Sequence, residues 1–111
     1  MTTSKSELIV TTTDGVPGQE VTEVIAMVRG STVRAKHLGA DIVASLRNLV
    51  GGEIKEYAQL LAGAREQAYD RMVNEALLVQ ADAVVAVRMQ TSTIQQAASE
   101  VVFYGTAVRL K

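Results

Sequence analysis

His37 is the chain's only imidazole, and the chain has no cysteine. Zinc and copper centres usually draw three or four ligands from those two residue types. One copy of this chain therefore lacks the donors for a soft-metal site. Two other routes lead to a metal. Several subunits could each bring His37 to a shared axis, or carboxylates could hold a harder ion. The plainer reading of His37 is an exposed loop residue beside Arg34 and Lys36. Of the four methionines, Met72 falls in a helical stripe and Met27 and Met89 fall in strands. Core filling accounts for those three.

Arg29, Arg34, Lys36 and His37 make the densest basic stretch. Pooled around an axis they could meet a phosphate or carboxylate, although no aromatic platform for stacked bases accompanies them. A solvated loop is the simpler account. Gly51-Gly52 resembles an anion cradle at a helix start. No Lys or Ser/Thr follows as a phosphate loop requires, and Glu53 would repel an anion, so a hinge is the better reading. On the following helix, Tyr57, Arg65, Glu66 and Tyr69 form a polar-aromatic cluster, with 65 and 69 one turn apart. Arg65 could clamp a carboxylate from a ligand or from a neighbouring subunit; an inter-subunit ion pair or a stack on tyrosine is the structural alternative. Arg88, inside an apolar strand, needs a partner or an exit to solvent, and Glu100 or Asp82 could serve. The ligand candidates are thus Tyr57, Arg65, Arg34 and Lys36, and the one metal candidate is His37. No nucleophile–base pair stands out, and the carboxylate pairs Glu53/Glu56 and Glu66/Asp70 sit where solvation explains them. No enzyme is expected.

These residues must be carried by 111 residues and 11.9 kDa, one domain's worth of sequence spanning 1–111. Eleven Lys and Arg balance twelve Asp and Glu, so the footprint of a nucleic-acid binder is missing. Apolar runs stay far below the roughly 20 residues that span a bilayer, and Met-Thr-Thr-Ser-Lys-Ser is no secretory leader. A cytoplasmic domain with no nucleic-acid or membrane partner is the expectation.

Strands are expected over Leu8–Thr13 and over Val21–Arg29, the latter covered on more than one side and ended by Gly30. Asp14-Gly15-Val16-Pro17-Gly18 turns between them. Asp41–Val50 has the pattern of a short helix behind an N-cap. From Glu53, the stripe Ile54, Tyr57, Leu61, Ala64, Ala68, Met72, Ala76, Val79 draws one apolar face along a helix of about 40 Å. Asp82–Met89 reads as a strand buried on both faces. Gln90–Ala98 is a polar connection, and Glu100–Leu110 is the last strand, with Gly105 marking a bulge or close approach. The order β-β-α-α-β-β gives an α+β fold: an antiparallel-rich, four-stranded sheet packed by one long helix and one short one.

Gly51-Gly52, Tyr57, Leu61, Ala64-Arg65-Glu66, Ala68, Met72, Ala81-Asp82-Ala83-Val84-Val85, Val87-Arg88 and Tyr104-Gly105-Thr106-Ala107-Val108 occur in an ordered set. That set resembles the YbjQ family of small bacterial and archaeal proteins, which carries a heavy-metal-binding label. The resemblance implies a dodecin-like subunit closing into a ring, typically a homopentamer, with no established activity. A divalent metal is the only cofactor it raises. This chain departs from the family pattern at three places: Glu53 replaces an Arg, and Gln80 and Ala86 stand where Gly is usual. The left-handed cap expected at a helix end would then lack its cheapest residue.

The residues point to a homo-oligomeric binding or scaffold protein whose ligand sites lie between subunits. Apolar residues near the C-terminus, Val101, Phe103, Val108 and Leu110, are expected to seek a neighbouring copy. Metal sequestration by the oligomer is the alternative, and an inter-subunit active site using Tyr57 and Arg65 comes last.

Overall fold

The computed structural model describes residues 3–35, 52–95 and 98–111. Four strands and one helix follow in the order β1 (Ile9–Val10), β2 (Val21–Ala35), α1 (Gly52–Leu78), β3 (Ala83–Gln95) and β4 (Ala98–Leu110). The short helix expected over Asp41–Val50 lies outside the described residues. The sheet is mixed, ordered β1-β3-β4-β2. β1 runs parallel to β3, and the other two pairings are antiparallel.

The apolar stripe of α1 decides how the layers meet. Ala64, Ala68, Met72 and Ala76 are fully buried, and Val73 joins them. α1 rests on β2 and β4, where Val28 and Ala107, joined by Val84 and Val87 of β3, complete the main core with Met72 and Ala76. Each fully buried aliphatic side chain of this kind stabilises the fold by roughly 1.5–3 kcal/mol. β3 is buried on both faces as expected: Val84 and Val87 face the helix-side core, while Ala83 and Val85 pack with Val108 under Ile9, Val16 and Leu110.

Gly30 does not end β2. The strand continues to Ala35, pairing Gly30 with Phe103, Thr32 with Val101 and Arg34 with Ser99. A Cβ at position 30 would fall on the backbone of α1, at the Ala68 carbonyl oxygen and the Met72 amide nitrogen. The glycine is there for contact: it lets a helix of small residues lie directly on a strand. Arg71 tightens the same seam, donating to the Ser31 carbonyl at 2.6 Å and to the Thr32 hydroxyl at 3.3 Å.

The expected polar connection after Met89 is also strand. β3 and β4 stay paired out to Gln95 and Ala98 through partners such as Thr91–Val101 and Thr93–Ser99. Threonines favour extended backbone whatever their polarity. Strand β1, by contrast, shrinks to two residues. Beyond it the chain bonds to a bulge in β3, where Ala86 and Val87 together face Gly105. The Ala86 amide donates to the Thr13 carbonyl at 2.8 Å, and that of Val87 to the Thr11 carbonyl at 3.0 Å. Gly105 leaves room for the bulge, since a Cβ there would sit 2.7 Å from Val84 Cγ1.

Among the described residues, two backbone positions are left-handed without being glycine: Gln80, with φ 60°, and Ala86, with φ 53°. They are the two sites where the family resemblance implies Gly. Gln80 terminates α1 in a paired motif, its amide bonding the Leu77 carbonyl at 3.0 Å while Ala81 reaches back to Ala76 at 3.1 Å.

Several apolar residues take places other than those expected. Val101 and Val108 are buried within the subunit, and Phe103 and Leu110 are half-buried, so the C-terminal strand does not supply the uncovered surface. Met27 and Met89 are not core fillers, being 63% and 44% exposed. Nor is β2 covered on both sides. Val24 and Val33 are 67% and 55% exposed, and the register with Thr106 and Glu100 puts Met27 and Val33 on the face opposite α1. The molecule measures 55 × 22 × 21 Å, with a radius of gyration of 17.6 Å. A compact chain of this length would have a radius of about 13 Å.

Candidate ligand-binding groove

Because Gly30 seats α1 over β2 and β4, the helix leaves the outer half of β3 uncovered. Met89, Thr91 and Thr93 share the helix-side face through their pairings with Phe103, Val101 and Ser99. Between them and α1 lies a hollow of about 360 Å³, reached by Leu61, Arg65 and Val101 as well. A second hollow of about 470 Å³ adjoins it, bounded by Ala62, Arg65, Glu66, Tyr69, Met89 and Phe103. Both include Arg65 and Met89, so the two form one groove. Such volumes are those of small-molecule sites.

The groove has two kinds of wall. At one end Thr91, Thr93 and Ser99 contribute hydroxyls. At the other, Tyr69 and Phe103 meet edge to face with ring centroids 5.6 Å apart. Arg65 stands where the two meet. It is about 100° around the helix from the buried Ala64–Ala68 line, which places it at the margin of the packed face. Among the described residues its guanidinium has no hydrogen bond or ion pair, and the Thr91 and Thr93 hydroxyls are likewise without protein partners.

Of the other ligand candidates, Tyr57 belongs to α1 two turns before Arg65, and Arg34 lies on β2 opposite Ser99. Lys36 and His37 are outside the described residues. Among the described side chains the groove contains one expected residue, Arg65. Sequence reasoning missed Met89, Thr91 and Thr93. Their alternate spacing is the signal that could have found them, hidden by reading 90–98 as a connection.

Arg88 is not paired with Glu100 or Asp82. It donates at 2.9 Å to the carbonyls of Thr12 and Val87, fastening the segment after β1 to the bulge. Glu100 is held across from Ser92 on another row. Asp82 has a different task. One carboxylate oxygen accepts the Leu110 amide at 2.9 Å and the other the Thr3 hydroxyl at 3.1 Å. The Leu110 bond is the main reason its pKa lies below the usual 3.8; burial opposes the shift, while Thr3 and the Arg109 charge support it.

No three His, Cys, Asp or Glu side chains converge among the described residues. With one histidine and no thiol in the whole sequence, the donor set does not fit a soft-metal centre in a single subunit. No helix among the described residues is long and apolar enough to cross a membrane.

A four-stranded mixed sheet under the one helix of the described residues, with a groove along the margin of that helix, defines a small α+β domain. Residues 8–111 match the model of the YbjQ family, described as "Putative heavy-metal-binding", and the chain belongs to that family. It is 53% identical over 107 residues to a UPF0145 protein of Archaeoglobus fulgidus, covering 96% of this chain and 99% of the relative. A UPF0145 protein of Thermus thermophilus is 51% identical over 105 residues, covering 95% and 92%. Among solved structures, a protein of unknown function from Pediococcus pentosaceus, assigned to the DUF74 family, superimposes with a TM-score of 0.65. The match covers 94% of this chain and 98% of that one at 16% identity, a likeness of fold.

Proposed function

We propose that this protein works as a homo-oligomeric binding protein, a ring of copies with five as the expected number, whose ligand sites lie at or beside the junctions between subunits. The observation that carries this reading is the set of uncovered apolar side chains on β2, with Arg29 and Ser31 between Met27 and Val33 on the same face. Val24, Met27 and Val33 are more than half exposed on a strand at the end of the sheet order. A long apolar edge strand is a template for pairing with another chain. The accessible surface agrees: 7150 Å² against roughly 6,000 Å² for a compact monomer of this mass. The difference is of the order that a stable protein–protein contact removes from each partner.

In this reading a neighbour covers β2, and the groove beside α1 supplies the binding function. The chemistry on the subunit is recognition, since Arg65 and the hydroxyls can orient a ligand but form no nucleophile–base pair. Light scattering on a size-exclusion column tests the assembly. Wild-type protein should elute as one multiple of 11.9 kDa, and the Met27→Glu, Val33→Glu double variant should dissociate while keeping its far-ultraviolet spectrum. An unchanged assembly in the double variant would reject β2 as the contact.

A further inference from the structure

We propose that the groove between α1 and β3 takes a small amphiphilic carboxylate, its head group on Arg65 and the adjacent hydroxyls and its apolar body along Met89 toward Tyr69 and Phe103. The inference rests on the reading of the protein as a binding protein and names the class of ligand.

Three observations converge. First, Arg65 is a permanent cation with no protein partner among the described residues, at the point where the two hollows join. A guanidinium beside apolar walls favours a planar, bidentate anion over water. Second, the hydroxyls and the aromatic rings lie in different hollows, with Leu61 and Val101 beside the hydroxyls and Tyr69 and Phe103 in the other. Thr91 and Thr93 lie on one side of Arg65, within reach of a head group, and donate without adding charge. The Tyr69–Phe103 pair lies toward the other side and Met89 borders both hollows, offering ring edges and a thioether to a hydrocarbon. Third, Glu66 borders the apolar hollow and is absent from the hydroxyl-bearing one. Its charge disfavours a second anionic group at that end, so a ligand with one charged terminus fits better than a dianion with charge at both.

Octanoate is a suitable probe, with 1-octanol as its uncharged counterpart and inorganic phosphate as its tail-less one. Isothermal titration of the full chain at fixed subunit concentration should show saturable binding of octanoate, at least tenfold tighter than either control. Arg65 is exposed and bonded to nothing among the described residues, so Arg65→Ala should fold normally and lose at least tenfold in octanoate affinity. Met89→Glu should abolish binding with Arg65 intact. Equal affinities for octanoate and octanol, or an affinity unmoved by Arg65→Ala, would overturn the assignment, as would the absence of saturable binding. Light scattering on the same samples separates this failure from that of the assembly: an intact oligomer that ignores octanoate overturns the ligand class alone, whereas a monomer overturns the oligomeric reading itself.

Discussion

Replacing Gln80 with glycine should make the protein more stable. Gln80 is the left-handed residue that closes α1. For an L-residue that conformation costs roughly 1–2 kcal/mol relative to the right-handed regions. Glycine escapes the penalty but is freer in the unfolded chain, which returns about 0.4–1 kcal/mol. The side chain that would be lost is exposed and accepts one long bond, from Arg109 at 3.4 Å, which contributes little. The net expectation is a gain of about 0.5–1 kcal/mol, or about 2–4 °C in melting temperature for a chain of this size. Gln80→Ala is the control. It removes the Arg109 contact and keeps the backbone strain, so it should stay within about 0.5 kcal/mol of the parent. Both variants belong in guanidinium and thermal melts at one subunit concentration, because an assembly's melting point depends on concentration. If Gln80→Gly proves no more stable than Gln80→Ala, the backbone argument is wrong.

The same logic applied to the β3 bulge predicts a smaller gain for Ala86→Gly, whose φ is 53° but whose half-buried methyl is also lost; denaturant midpoints will rank the two. Gly30→Ala should destabilise by about 3 kcal/mol, at the upper end of overpacking effects, because the new methyl meets helix backbone that no rotamer change can move. Asp82 gives a pH signature. Its pKa is lowered in the folded protein, so its contribution is present above the unfolded value of 3.8 and is lost as pH falls through the lower folded value. Wild-type protein should therefore lose its advantage over Asp82→Asn as pH falls below 3.8 and through the lower folded value, measured as the difference in denaturant midpoint; a constant difference through that range would refute the role given to this carboxylate.

The sequence makes the helix plain, since Ala64, Ala68, Met72 and Ala76 repeat at the helical period and are buried as that period requires. Strand order and the parallel pairing of β1 are less legible, because they depend on contacts between residues some 75 positions apart. Two errors have local causes. Gly30 looks like a terminator in one dimension, and only the helix lying across it explains why a strand continues through a glycine. Thr91 and Thr93 look like loop by their polarity, whereas their β-branching is what the strand uses, and they form part of the wall of the groove. Arg65 could be singled out by its type and helical position, whereas its lack of a partner among the described residues belongs to three dimensions. The left-handed positions at 80 and 86 were legible through family resemblance, which marks where glycine is usual without saying why.

The account depends most on the uncovered face of β2. Sedimentation velocity at low micromolar concentration tests it directly, with circular dichroism on the same sample to establish that the chain is folded. The prediction is a single oligomeric species whose mass is an integral multiple of the subunit, dissociated by charge at Met27 and Val33. A folded, soluble species sedimenting at 11.9 kDa would contradict it.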